Sequence, residues 1–136
     1  MFLLDTNVVS ELRRPRPHGA VIAWLAGVPE LQVYVSAYSI AELQIGVEKT
    51  RVRDPIRAGE LDLWVDEVVA GYNVLSMDAP IFRAWAKLRH GRSDTLHGDA
   101  MIAATAAVHG LTVATRNVRD FEALGASVFN PFGSAI

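Results

Sequence analysis

The chain has 136 residues, of which 51% are hydrophobic and 21% are charged, and this balance indicates a globular protein with a real core and excludes a disordered chain. Cysteine is absent, which excludes disulfides and thiolate zinc sites and favours a reducing compartment. The net charge of −2 does not by itself indicate a nucleic-acid-binding protein, and no apolar run reaches the length of a membrane helix, so we expect one cytoplasmic domain over residues 1–136 with no membrane partner.

Short apolar runs alternate with helical patterns along the whole chain. In chain order, the patterns predict five strands, at 2–4, 31–35, 72–75, 111–114 and 127–129, with a loop between the last two. Between the first two strands they predict a helix after Asn7 that is stopped by Pro15, and a second helix at 20–26. The later helices are one that ends near Lys49, one from Pro55, one from Asp78 and one that ends at Gly110. Strands that alternate with helices imply a mostly parallel sheet with helices on both faces, the α/β class.

The stretch HGDAMIAATAAVHGLTVATRNVRDF, residues 97–121, is central to the interpretation. Between Ala100 and Val108 the only polar side chain is Thr105, which predicts a helix packed on more than one side. An ionised Asp99 at the head of such a helix is costly to bury unless it meets water, a donor or a metal.

Four acids are expected to meet at one edge of the sheet. In right-handed crossovers all strands point the same way, and each following helix begins at the carboxyl edge, where open α/β sheets bind ligands. One acid ends the first strand, two lie in the opening turns of helices, and one follows the fourth strand by a few residues. These acids are Asp5, Glu42, Asp99 and Asp120.

Four carboxylates without Lys or Cys among them suit a hard divalent cation, Mg²⁺ or Mn²⁺, and metal-assisted phosphodiester hydrolysis. Neutralising all four acids would change the net charge from −2 to +2, so the sign of the net charge does not exclude a protein that binds nucleic acid. Polar residues that lie beside the acids are candidates for orienting ligands or waters. They are Thr6, Asn7, Thr115 and Asn117.

Each acid also has an ordinary structural interpretation. Asp5 is a suitable cap for the helix after the first strand, and Asp99 complements a helix dipole. Glu42 matches a capping box with Ser39, and Asp120 can pair with the asparagine three residues before it. Capping alone does not require all four acids to share one edge, which favours the functional interpretation.

Other polar residues give weaker signals. Asp78 also begins a helix after a strand, and we interpret it as a cap because the third strand is expected to lie away from the site. The histidines lack metal spacing, although His97 is close enough to Asp99 to be a weak support candidate. Basic clusters near Arg13 and near Arg51 suit either a phosphate backbone or solvated helix ends.

Three segments resemble the PIN-domain family, and within it the VapC and FitB-like toxins of bacterial toxin–antitoxin systems. The first is LLDTN (residues 3–7) with SEL (10–12), and the second is the stretch from Ser36 through AEL (41–43). The third is Asp99 with IAATA (102–106), which continues to TRNxxDF (115–121) and NPF (130–132). The match covers nearly the whole chain in order and at the usual separations, and jointly the segments are specific.

The resemblance implies a three-layer α/β/α fold with a five-stranded sheet in the order 3-2-1-4-5. It implies a Mg²⁺- or Mn²⁺-dependent endoribonuclease that inhibits translation, forms homodimers and is held inactive by a small DNA-binding antitoxin whose tail enters the acidic pocket. The family's catalytic acids fall on the four acids above, with Asp5 and Asp99 expected to hold the metal. Where many relatives carry a polar residue before the third acid, this chain has Gly98, so no fifth ligand is expected there.

Two rival interpretations remain open. A DNA or structure-specific nuclease has the same metal site, and nothing in the sequence recognises a 2′-hydroxyl. A phosphoacceptor receiver domain has a similar length, but it needs a paired acid after the first strand and a Lys near the fifth. Here Thr6 follows Asp5, and residues 114–131 contain no Lys.

Overall fold

The computed structural model describes residues 1–133. It contains one sheet in the order β3-β2-β1-β4-β5, in which every neighbouring pair of strands is parallel. The strands are β1 (Phe2–Leu4), β2 (Val33–Ser36), β3 (Asn73–Leu75), β4 (Thr112–Ala114) and β5 (Val128–Phe129). This order confirms the expected sheet, with β1 and β4 at its centre and β3 at an edge.

Seven α-helices connect these strands within residues 1–133. They are α1 (Thr6–Glu11), α2 (Gly19–Gly27), α3 (Ala37–Arg53), α4 (Pro55–Gly71), α5 (Ala79–Arg89), α6 (His97–His109) and α7 (Val118–Ala123). Among these helices none is long and apolar enough to cross a membrane.

The alternation of side chains along β1 separates two hydrophobic cores. Leu4 belongs to the core formed with helices α1 to α4, where it packs with residues such as Val47. Leu3 points to the opposite face and belongs to the core formed with α5, α6 and α7, which includes Ile102 and Phe121. Successive residues of a strand point to opposite faces, so the fully buried pair Leu3 and Leu4 requires helices on both sides. The three-layer α/β/α prediction is therefore confirmed.

The middle of α6 is buried almost all round, as its sequence predicts, whereas Ala107 and Val108 near its end are exposed. Six of its residues between Ala100 and Ala106 are buried, and the Thr105 hydroxyl is satisfied by donating to the Met101 carbonyl at 2.9 Å. Gly110 follows the helix with a φ of +67°, a left-handed conformation that glycine adopts without a Cβ penalty. The chain then turns directly into β4.

The structure corrects the predicted elements in three places. The strand β2 begins at Val33 and not at residue 31, because Glu30–Gln32 form a 3-10 turn and Leu31 is 80% exposed. The helix α3 continues to Arg53, past the predicted end at Lys49, because no helix breaker occurs before Pro55. The loop expected after β4 contains the short helix α7.

Candidate active site

Asp5 lies at the carboxyl end of β1, in the centre of the sheet. Its backbone N–H donates to the Ala114 carbonyl at 2.9 Å, which extends the pairing of β1 with β4 by one residue. Its side chain accepts from the Thr6 N–H at 2.7 Å and from the Thr115 hydroxyl at 2.7 Å. Asp5 therefore caps α1 as expected, but its second oxygen is held by the neighbouring strand. Burial raises the pKa of this carboxyl, and the two hydrogen bonds offset part of that rise.

Glu42 comes to the same edge from the second turn of α3. Its Oε1 accepts from the Thr6 hydroxyl at 2.6 Å, and that hydroxyl lies 2.9 Å from the Ser39 hydroxyl. The alternative capping box of Ser39 with Glu42 is not formed, because Ser36 caps α3 by accepting from the Tyr38 N–H. Burial raises the pKa of Glu42, and the charge of Asp5 raises it further.

One amide group holds the two remaining acids. The Asn117 Nδ2 atom donates to Oδ2 of Asp99 at 2.9 Å and to Oδ2 of Asp120 at 2.9 Å. Asp99 lies in the first turn of α6 and Asp120 in the first turn of α7, so the two carboxylates come from different helices. The expected pairing of Asp120 with Asn117 is present, but Asn117 makes no side-chain cap to α7.

These contacts join into one hydrogen-bonded network at the edge of the sheet. The backbone N–H of Asn117 donates to the Thr115 hydroxyl at 2.9 Å. Because that hydroxyl donates to Asp5, this bond connects Asp99 and Asp120 to Asp5. The network runs through Glu42, Thr6, Asp5, Thr115, Asn117, Asp99 and Asp120. The structure therefore brings together all four predicted acids and three of the four predicted support residues.

Burial and the neighbouring acids together raise the pKa of Asp99 to about 6. Burial is the largest cause, followed by the negative charges of Asp5, Asp120 and Glu42, while the hydrogen bond from Asn117 acts in the opposite direction. No salt bridge between residues 1 and 133 includes any of the four acids. Within the described residues, the four acids are therefore not neutralised by a direct ion pair.

The donor set suits a hard divalent cation. Between residues 1 and 133, no three acidic or histidine side chains are placed closely enough to hold an ion by themselves. Mg²⁺ is usually held by one or two carboxylates, and water completes its octahedral shell. The charge of Asp5 is one of the causes that raise the pKa of Asp99, which indicates that these two carboxylates lie near each other.

Tyr38 lies at this edge and was not selected from the sequence, whereas Arg13 belongs to a basic cluster that the sequence analysis had named. Tyr38 lies in the first turn of α3, and the charges of Glu42 and Asp99 act on its hydroxyl. Its position two residues after β2 is the one sequence feature that places it at this edge. Arg13 lines a cavity of about 130 Å³ together with Thr6 and Glu42.

That cavity extends from the acidic network between α1, α3 and α4, and Trp64 and Leu61 form part of its wall.

The second basic cluster, near Arg51, differs from the one near Arg13 because Arg51 forms salt bridges with Glu48 and Asp62. The interpretation of Arg51 as a solvated helix-end charge therefore agrees with the structure.

Three other polar residues lie apart from the network. Asn7 is exposed in α1 and takes no part in the contacts described above, so its support role stays a prediction. The His97 Nε2 atom accepts from Arg89 at 3.0 Å and lies 3.1 Å from Asp94, and it takes no part in the network within residues 1–133, so its weak support role stays a prediction. Asp78 accepts from the Ile81 N–H at 3.1 Å, which confirms that it is a cap.

Comparison with known proteins identifies the family. The model of the PIN domain matches residues 2–126. The chain is 38% identical to Toxin FitB of Neisseria gonorrhoeae, over 97% of this chain and 99% of that protein. It is also 38% identical to VapC ribonuclease Y4jK of Sinorhizobium fredii, over 99% and 100% of the two chains.

A solved structure of FitAB bound to an IR36 DNA fragment contains a chain of the same fold. It superimposes with a TM-score of 0.84 at 35% identity, covering 100% of this chain and 99% of that one. The similarity in sequence and in fold thus extends over the entire sheet and all the elements that carry the acids. The chain belongs to the PIN domain family, in the group of the FitB- and VapC-like proteins.

Proposed function

We propose that this protein is a metal-dependent endoribonuclease toxin that cleaves RNA phosphodiester bonds and thereby inhibits translation. The observation that carries the proposal is the single network that joins Asp5, Glu42, Asp99 and Asp120 at the carboxyl edge of β1 and β4. The similarity to a protein named as a VapC ribonuclease supports RNA as the substrate.

We assign Mg²⁺ or Mn²⁺ as the cofactor, held by Asp5 and Asp99 with water. When bound, such an ion lowers the pKa of a coordinated water and stabilises charge on a phosphoryl oxygen. The polar neighbours orient the acids: Thr115 and the Thr6 N–H each engage one oxygen of Asp5, and Asn117 sets the separation of Asp99 from Asp120.

Glu42 is the residue to which we assign proton acceptance. The Thr6 hydroxyl engages its Oε1 atom, while Oε2 is the oxygen that we expect to receive the proton of the attacking water. Burial and the nearby Asp5 raise the pKa of Glu42, which brings it closer to the range suited to a general base at neutral pH.

The basic residues beside the site suit an RNA backbone. Arg13 shares a cavity with Glu42, and the exposed Arg116 follows Thr115 directly, with its guanidinium 3.8 Å from the centre of the Phe132 ring. Both positions place positive charge next to the acids, where the phosphates that flank a cleaved bond would lie.

A DNA or structure-specific nuclease is the second candidate. The observation that favours it is the chemistry of the site, in which carboxylates and hydroxyls act on a phosphodiester and no group recognises a 2′-hydroxyl. A receiver-type signalling domain is disfavoured by the membership in the PIN domain family.

We further propose that the toxin forms homodimers in the cytoplasm and that a small DNA-binding antitoxin neutralises it. The similarity to a chain in the FitAB assembly on DNA supports this assignment. The helices α4 and α5, which carry Trp64 and Trp85, are the expected docking surfaces. Trp64 already lines the cavity beside Glu42, whereas the Trp85 indole donates to the His97 carbonyl at 3.2 Å. Unchanged antitoxin affinity in surface variants along both helices would remove this docking hypothesis.

The experiment that tests the activity uses purified chain without antitoxin. Total RNA and DNA are incubated with it in Mg²⁺, in Mn²⁺ and in chelator, and cleavage is followed on gels. We expect RNA to be cleaved only with the metal, and Asp5→Asn to abolish cleavage. Asp78→Asn is the matched control because Asp78 also caps a helix after a strand. Equal cleavage by Asp5→Asn would overturn the assignment, and cleavage of DNA alone would favour the second candidate.

A further inference from the structure

The Tyr38 hydroxyl occupies a position that exists only because residue 98 is glycine. The ring of Tyr38, in α3, lies against the first turn of α6. A Cβ atom added to Gly98 would be 2.9 Å from the hydroxyl oxygen, a distance that real Cβ atoms essentially never show, but 3.6 Å from the ring carbons Cε2 and Cζ. A larger residue at position 98 would therefore displace the hydroxyl, and the rigid ring that carries it would have to shift as well.

The hydroxyl lies among the acids of the site. Glu42 follows Tyr38 by one helical turn on α3, and Asp99 follows Gly98 directly on α6. Burial raises the pKa of Tyr38, and the charges of Glu42 and Asp99 raise it further. The phenol therefore keeps its proton at neutral pH and remains a hydrogen-bond donor.

The acidic network makes no use of this donor. The hydroxyls of Thr6 and Thr115 and the amide of Asn117 all donate to carboxylates. The Tyr38 hydroxyl takes part in none of the hydrogen bonds within residues 1–133, and no buried side-chain polar atom in that range lacks a partner. The hydroxyl of the half-buried Tyr38 is therefore not fully enclosed, and a ligand at the acids can reach it.

We propose, building on the nuclease function above, that Tyr38 is a substrate-binding residue whose hydroxyl donates a hydrogen bond to a non-bridging oxygen of the RNA phosphate beside Asp99. An anionic phosphate among carboxylates needs donors that carry no negative charge, and the phenol supplies one. Gly98 has the matching role of leaving space for the hydroxyl.

The test compares Tyr38→Phe, Gly98→Ala and the double variant with wild type. The readouts are KM and kcat for cleavage of a mixed-sequence single-stranded RNA in Mg²⁺, and the Kd of the same fluorescein-labelled RNA in an Asp5→Asn background that prevents cleavage. Tyr34→Phe is the matched control, because the Tyr34 hydroxyl contacts Met1 Sδ at 3.7 Å, away from the acids. Thermal melts confirm that each variant is folded.

We expect Tyr38→Phe to raise KM and Kd about tenfold with little change in kcat, as for the loss of one hydrogen bond to a charged group. Gly98→Ala should have a similar effect, because the new Cβ pushes the hydroxyl aside. The double variant should be no worse than Tyr38→Phe, since the Phe ring carbons accommodate a Cβ at 3.6 Å.

Wild-type affinity in Tyr38→Phe, or additive losses in the double variant, would overturn the assignment while the nuclease function stands. If the wild-type chain neither binds nor cleaves RNA, the nuclease function itself fails and the role of Tyr38 fails with it. Cleavage of RNA by the wild type thus separates the two failures.

Discussion

The Thr115 hydroxyl donates a hydrogen bond of 2.7 Å to Asp5, although the two residues are 110 positions apart in the chain. The parallel register of β1 with β4 pairs Leu4 with Ala114, so the next residue on each strand lies side by side at the carboxyl edge. Both side chains are almost completely buried. The central acid of the site is thus oriented by the sheet and not by a flexible loop.

Removal of that hydroxyl should destabilise the protein. We expect Thr115→Val to lower the free energy of unfolding by about 1–3 kcal/mol, because a buried carboxylate loses a donor and the Asn117 N–H loses an acceptor. Urea denaturation measures the change. Thr112→Val, at the other end of β4 where the hydroxyl contacts Ser127 at the surface, is the control. Equal losses in the two variants would contradict the role given to Thr115.

The raised pKa of Asp99 predicts a pH-dependent stability in the absence of metal. Between the ordinary value of 3.8 and about 6, the folded chain binds more protons than the unfolded chain. Stability should therefore be greatest below this window and fall as pH rises through it. In chelator, we expect a lower Tm for the wild type at pH 7.5 than at pH 5.

The substitution Asp99→Asn isolates this effect. It removes the titrating group and keeps an oxygen for the Asn117 amide, so it should raise the Tm at pH 7.5 and give little gain at pH 4. Differential scanning calorimetry is the measurement, and Asp66→Asn, on the exposed side of α4, is the control. The prediction would be wrong if the Tm of the wild type rose between pH 4 and pH 6 while the Tm of Asp99→Asn did not.

The amide of Asn117 should set the metal requirement. In Asn117→Ala, Asp99 and Asp120 lose their shared donor, and we expect RNA cleavage to fall about 10- to 100-fold at low Mg²⁺ and to recover in part at high Mg²⁺ or Mn²⁺. Metal titrations of the initial rate test this. Asn73→Ala serves for comparison, because Asn73 donates to the Val33 carbonyl at the start of β3. A metal dependence identical to that of the wild type would show that the amide does not organise the site.

Substitution of Asp78 tests whether the loss of a helix cap alone affects RNA cleavage. Its side chain caps α5, so Asp78→Ala should cost about 1 kcal/mol of stability and leave the rate of RNA cleavage unchanged. The same change at Asp5, which also caps a helix, should abolish cleavage. Urea denaturation and cleavage assays on both variants decide the matter, and a large loss of cleavage in Asp78→Ala would mean that the site extends to β3.

Much of the site was predictable because its position follows from local patterns. Apolar runs that alternate with helical stretches imply parallel strands, and parallel strands end at one edge, which places Asp5 and Asp99 at the same edge. The strand order that sets β1 beside β4 came from the resemblance to the PIN-domain family. The burial of α6 followed equally from its nearly unbroken apolar sequence. The loop that became α7 was missed because six residues carry too little periodicity to identify a helix.

The sequence by itself therefore determined the fold class, the edge that carries the acids and their identity, since these depend on periodicity and on the direction of the chain. Only the tertiary structure decided which hydroxyl or amide holds each carboxylate, that Glu42 bonds Thr6 and not a capping box, and that Tyr38 lies over Gly98. Such contacts join residues distant in the chain, and they depend on strand register and side-chain rotamers, which local sequence patterns do not encode.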